Sequence, residues 1–308
     1  MMWLFLAIGA YLLFAVVAMG DKALLAGPLK TPETYAASVG LLGILLLLGV
    51  PFLGFPIPHG AWWIALIAGA SFIVALIPYF RGVRDFEVSR IVPATGGLVP
   101  IVTFLLLLFM LPEARSVDLL TGIAFAILVF GSVLISKERG ITFSGAVLSR
   151  AFLASLFFGG SFALLKVAYS LTSFWGGLLW YQLGSIMCGA VIWIFSSTVR
   201  SDIKSFFQKK KDAIQTSRAP LLFFGVQALS AGASLLQSAA IYIAPPKYSA
   251  FVNALQGVQY VFIVALGYLF SKYFAGAFRE KTTVNKVIGT IFIVAGVAVL
   301  AFRSEGAL

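Results

Sequence analysis

Long apolar runs follow one another along almost the whole chain, each broken by a short polar stretch. They cover about residues 2–20, 36–57, 61–80, 91–111, 117–136, 148–170, 174–198, 219–243, 248–272 and 284–303. Each approaches the ~20 apolar residues that a helix needs to span a bilayer. The runs are continuously apolar and do not alternate, which predicts helices and argues against a barrel. The expected fold is all-α and integral to the membrane, with ten transmembrane helices.

The ten segments fall into two sets of five that share local features. Residues 81–100 (RGVRDFEVSRIVPATGGLVP) and 240–259 (AIYIAPPKYSAFVNALQGVQ) have equal length, a tight turn and a long apolar run after them. Glu113 precedes Gly122 by nine residues, as Glu280 precedes Gly289. Lys22 lies late in segment 1 and Lys166 late in segment 6. The expected organisation is a first repeat over 1–143 and a second over 144–308, together one membrane domain. Five helices make the second copy enter the bilayer the opposite way up. Inverted repeats of this kind place a substrate site near the midplane.

Composition sharpens the class. Hydrophobic residues make up 61% of the 308 and charged residues 11%, against roughly 25% charged in a soluble domain. The net charge of +11 would suit a nucleic-acid partner, but position explains it better. Eighteen of the 22 Lys and Arg fall in the odd-numbered connections or beside them, as expected for cytoplasmic loops. The basic 200–218 loop is therefore expected in the cytoplasm, both termini outside, in the cytoplasmic membrane. The first segment lacks the basic start of a signal peptide and is taken as a retained helix. One cysteine, Cys188, and one histidine, His59, make no zinc site. No cofactor is expected, nor a nucleic-acid partner.

Candidate chemistry concentrates in segments 8 and 9. Gln227, Ser230, Ser234 and Gln237 recur at steps of three and four, as do Ser249, Asn253, Gln256 and Tyr260. Each set is one face of one helix. Two such faces can line a watered cavity or hold helices together by hydrogen bonds; the spacing fits both. The first half offers Ala94, Gly97 and Ile101 at the positions matching Asn253, Gln256 and Tyr260, and Pro78 and Tyr79 opposite Gln237 and Ser238. Pro93 and Pro100 predict a kink in segment 4. Lys22 and Lys166 lie near helix ends, where they can snorkel or serve a substrate. Arg81, Arg84 and Arg90 fit headgroup anchors, and Trp62, Trp63, Trp175, Trp180 and Tyr181 fit interfacial positions. All eleven acids lie in connections or at segment ends, which argues against a mid-membrane carboxylate relay. The candidate substrate-binding set is Gln237, Asn253, Gln256, Tyr260, Ser234, Tyr79, Lys166 and Lys22. A membrane enzyme would need clustered His, Asp, Glu or Cys at depth, so no enzyme is expected.

The duplicated pattern resembles the drug/metabolite transporter superfamily, in particular its EamA-type members. The second copy carries it most clearly, in ALQGVQYVFIVALGYLFSKYFAGAFREKTTVNKVIGTIFIVAGVAVL. Pro112 and Arg279 stand before the two glutamates, where that family commonly has Gly. The resemblance implies alternating-access transport of a small polar organic metabolite, amino-acid-like or otherwise carboxylate-bearing. A flippase for lipids or lipid-linked sugars and a non-transporting scaffold are the other readings. Expected partners are a small-molecule substrate and membrane lipids, the protein being a monomer or weak homodimer.

Overall fold

A computed structural model of the chain describes residues 1–25, 31–54, 56, 60, 62–86, 88–136, 145–208, 218–271 and 284–305. All regular structure among the described residues is helical. The helices are α1 (Met2–Leu25), α2 (Pro32–Leu42), α3 (Val50–Leu53), α4 (Trp62–Asp85), α5 (Val88–Met110), α6 (Leu119–Ser136), α7 (Gly145–Leu171), α8 (Phe174–Phe195), α9 (Ser197–Gln208), α10 (Arg218–Ile243), α11 (Ser249–Ala254), α12 (Gln256–Ser271) and α13 (Val284–Glu305).

The apolar runs of the sequence are helical over most of their described residues. Among the described residues, seven stretches are long and apolar enough to cross a membrane: Met2–Gly20, Pro32–Phe52, Trp62–Asp85, Gly145–Leu171, Phe174–Phe195, Leu221–Ile243 and Pro246–Gly267. Ala94–Met110, Leu119–Leu134 and Val287–Phe302 are shorter apolar helical stretches. Large apolar side chains such as Phe5, Phe109, Phe195 and Phe302 face outward, where lipid rather than water suits them. These are the features of a multi-pass membrane protein. The expected repeat boundary at 143/144 lies outside the described residues, as do His59 and Glu280.

Two segments differ from a simple rod. Between α2 and α3 the chain winds into a 3-10 stretch, Gly43–Gly49. Pro51 has no N–H for the Leu47 carbonyl, and the tighter i→i+3 pattern takes over. Segment 9 is not one helix but α11 and α12, broken at Leu255. The break falls between Asn253 and Gln256. Segment 4, by contrast, runs as one continuous helix through Pro100.

The closest-packed pairs all join the two halves of the chain: α4 with α7, α1 with α10 and α6 with α13. Helix α5 also lies on α7, α4 and α2 lie on α8, and α12 lies on α1. The approach of α4 to α8 needs glycine. A Cβ at Gly69 would stand 1.7 Å from the Tyr181 carbonyl oxygen, and one at Gly184 1.9 Å from that of Leu66. Small residues let membrane helices meet backbone to backbone. The Ser185 hydroxyl then donates across the seam to the Gly69 carbonyl at 3.1 Å.

One end of the bundle is tied by charge. Arg81 pairs with Glu33 at 2.5 Å, and Arg84 and Arg150 each pair with Asp85 at 2.8 Å. Arg81 and Arg84 thus hold acidic partners while remaining about half exposed. Asp202 of the amphipathic helix α9 accepts from Thr31 at 2.6 Å and Thr34 at 3.0 Å, at the start of α2. Helix α9 itself starts at Ser196, whose hydroxyl accepts from the Val199 amide. Arg200 reaches back to the carbonyls of Trp193 and Ile194, closing the end of α8.

Candidate functional site

The polar face of α10 turns inward. Phe223, Val226, Ala233, Ser238, Ala240 and Ile241 are buried, while Gln227, Ser230, Ser234 and Gln237 keep partial exposure on the interior side. The Gln237 amide sits at a junction. It donates to the Tyr11 hydroxyl of α1 at 3.2 Å and to Asn253 Oδ1 of α11 at 3.5 Å. Asn253 Nδ2 donates in turn to Thr103 Oγ1 of α5 at 3.2 Å. The Thr103 hydroxyl donates to the Val99 carbonyl at 2.9 Å. Four helices are thus joined by one chain of side chains, and Asn253 is 1% exposed at its centre.

Below the break at Leu255, α12 carries Gln256 and Tyr260. Both lie against Gly96 of α5: a Cβ there would stand 2.8 Å from the Tyr260 hydroxyl and 3.5 Å from the Gln256 amide. The first half supplies space at this point and the second supplies hydrogen-bonding groups. The phenols of Tyr11 and Tyr79 lie within electrostatic reach of Tyr260. The structure therefore brings Gln237, Asn253, Gln256, Tyr260 and Tyr79 into one region. Ser234 shares the inner face of α10 one turn from Gln237.

Lys166 sits elsewhere, for a reason written in the chain. Pro245 and Pro246 follow α10 and have no N–H groups for the carbonyls of Ile241 and Tyr242. The Lys166 ammonium supplies the missing donors, at 3.0 and 3.3 Å, and reaches Ala244 O at 2.5 Å. Three donors meet three acceptors, and the residue is 5% exposed. This is a helix cap at the negative end of the α10 dipole, neither snorkelling nor contact with the polar cluster. Lys22 belongs to α1, but its side chain lies outside the described residues.

A cluster of rings joins α4, α7 and α8. Phe72 and Tyr79 of α4, Phe158 and Phe162 of α7, and Tyr181 of α8 each fall on the inward stripe of their helix. Phe72 lies 5.3 Å from Phe158, 6.3 Å from Phe162 and 6.2 Å from Tyr181 between centroids, and Tyr79 lies 5.9 Å from Phe158. All five keep partial exposure despite their inward position. Tyr181, expected at the interface, packs against Phe72 and keeps accessible surface. Phe72, Tyr79 and Phe158 pack on an apolar cluster that includes Phe223 and Val226 of α10. At one end Tyr35 packs on Phe80 in a cluster with Val17 and Phe223. At the other, Tyr169, Phe174 and Tyr242 meet with centroids 5.4–5.8 Å apart.

Sequence reasoning missed Tyr11, Thr103 and the rings of Phe72, Phe158 and Phe162. Tyr11 and Thr103 are single polar groups inside apolar runs, which was the available signal. The rings carried none, since one Phe in an apolar run reads like another. A separate cleft of about 150 Å³, lined by Ile8, Val258, Val261, Ile293, Val294 and Val297, is wholly apolar and offers a polar solute nothing.

The architecture is similar to that of a solved structure, "Crystal structure of protein". The TM-score is 0.67 at 14% sequence identity, over 96% of this chain and 97% of that one. Neither a family model nor a curated protein matches the chain. The structural likeness extends along both chains and concerns the fold.

Proposed function

We propose that the protein is a membrane carrier for a small polar organic metabolite, built as ten spans in two inverted five-helix repeats. The observation that carries this reading is the pairing of a buried polar chain with an inner, partly open polar face. Gln237, Asn253 and Thr103 join α10, α11 and α5, while Gln227, Ser230 and Ser234 continue the face along α10. Helix glue alone has no use for inward polar groups left half open.

Packing supports the repeat. Exchange α1 with α7, α2 with α8, α4 with α10, α5 with α11 and α12, and α6 with α13. The pair α4–α7 becomes α10–α1, α5–α7 becomes α12–α1, and α6–α13 and α2–α8 map onto themselves; all are close pairs. The exchange is not complete: α6 lies on α12, for example, but α13 makes no comparable contact with α5. Helix α4 lies along α8, but α10 stands off from α2 and reaches it through Gln227 and Tyr35 at 3.3 Å. Such an asymmetry suits a carrier caught in one of two related states. The resemblance to the EamA-type drug/metabolite transporters points the same way, and the charge count puts the 200–218 loop in the cytoplasm.

Flux in reconstituted vesicles tests the reading. A panel of small polar solutes is screened with wild type, then with Asn253→Ala, Gln256→Ala and Gln237→Ala. The expected outcome is solute-dependent flux that falls in all three variants. Flux unchanged in all three would remove the site from this face.

A further inference from the structure

We infer that helix α9 is a docking surface for anionic phospholipids, whatever solute the protein carries. The helix runs sideways from the end of α8. Helices α2 and α8 are antiparallel: Gly43 meets Gln182, while Gly40 meets Ser185 and Gly189. The start of α2 therefore stands level with the end of α8. Ser196 then breaks the helix with an extended backbone, φ −107° and ψ 109°. Had α9 continued along α8, Asp202 would stand about 10 Å beyond it, at 1.5 Å per residue. Instead its carboxylate accepts from Thr31 and Thr34 at the start of α2. Val199 of α9 is buried. Helix α9 thus lies across the ends of two apolar helices, as a helix at headgroup level does.

The outer side of α9 is basic and borders lipid. Arg200 and Lys204, one turn apart, are both exposed. The Arg200 guanidinium reaches the carbonyls of Trp193 and Ile194 through Nη1. This sets it beside the last turn of α8, where Trp193, Ile194 and Phe195 are exposed apolar side chains. A cation therefore stands next to surface that acyl chains cover well and water does not. The sequence from α8 to α10 carries six Lys and Arg against two acids, and one of those acids, Asp202, is turned to α2. A nucleic acid or an acidic peptide would answer the charge but leave Ile194 and Phe195 bare. A ligand with an anionic head and apolar tails answers both, and basic clusters at a membrane surface attract such lipids.

A fluorophore on Ser205→Cys, in a chain with Cys188→Ser, reads the lipid beside α9. The protein is reconstituted in phosphatidylcholine vesicles. Traces of phosphatidylglycerol or phosphatidylcholine, carrying a nitroxide quencher high on one acyl chain, are present in both leaflets, so orientation does not enter. Phosphatidylglycerol is expected to be enriched at the probe at least about tenfold over phosphatidylcholine. Lys204→Gln should cut that preference by about fivefold, the scale of one basic residue at an anionic surface. Lys247→Gln, in the connection after α10, should leave it unchanged. Arg200→Gln also removes the contacts that close α8, so Lys204 carries the test, with a thermal melt to confirm that each variant is folded. Equal quenching by the two lipids, or a preference that survives Lys204→Gln, overturns the inference. An equal loss in Lys247→Gln overturns it too, since overall charge would then be the cause. Displacement of the labelled lipid by soluble glycerol phosphate would mark a site for a free phosphate ester and overturn the bilayer lipid as its occupant.

Discussion

At the scale of the residue, Lys166 shows how a buried cation is placed without an acid. Two prolines leave the end of α10 short of donors, and one ammonium replaces them. Lys166→Met keeps the length of the side chain and removes every donor. The carbonyls of Ile241 and Tyr242 then stand unpaired, and we expect a loss of about 2 kcal/mol, read as a lower melting temperature in detergent. A melt that does not move would show that water replaces the lysine there. The polar chain was partly legible: the spacing of Gln237, Asn253, Gln256 and Tyr260 put each set on one face. Their partners were not, because Tyr11 and Thr103 are joined to them by contacts 226 and 150 residues apart. No periodicity within a segment encodes such a distance.

At the scale of the element, glycine sets which helices touch. The α4–α8 seam admits no side chain at Gly69 or Gly184, since backbone carbonyls occupy the space. Gly184→Val must push the helices apart, and overpacking of this kind costs roughly 1–3 kcal/mol. We expect a matching fall in melting temperature, with Gly122→Val, at a position open to added bulk, as the tolerant comparison. A Gly184→Val protein as stable as the wild type would mean that the seam opens freely. Helix positions were legible from hydropathy, because lipid demands long apolar runs. Breaks within them were not. The 3-10 stretch at Gly43–Gly49 and the interruption at Leu255 depend on local backbone bonding that an average over a segment hides. Helix α9 was passed over for the opposite reason: it is polar overall, although it lies against α2 and α8 with Val199 buried.

At the scale of the molecule, the two halves interlock, since each of the three closest helix pairs takes one member from each half. Orientation is a separate matter that charge alone predicts. A single cysteine placed at Ser205, in a chain with Cys188→Ser, should resist a membrane-impermeant thiol reagent on intact cells and react after permeabilisation. Ready labelling from outside reverses the orientation drawn from the 18 basic residues. The helical, membrane-spanning character was open to sequence reading because the bilayer demands long apolar runs. The separation of α10 from α2 was not, because it is a property of assembly.

The lysine cap also bears on how the chain is made. Lys166 and the carbonyls it serves are 75 to 78 residues apart, so α7 leaves the ribosome well before the end of α10 exists. A lone ammonium at that point has no acceptors in hydrocarbon and is held at the membrane surface by its own hydration. It can sink to its buried position only once residues 241–244 have arrived to receive it. The cap is therefore expected to close late in biogenesis, once α10 has been delivered beside α7.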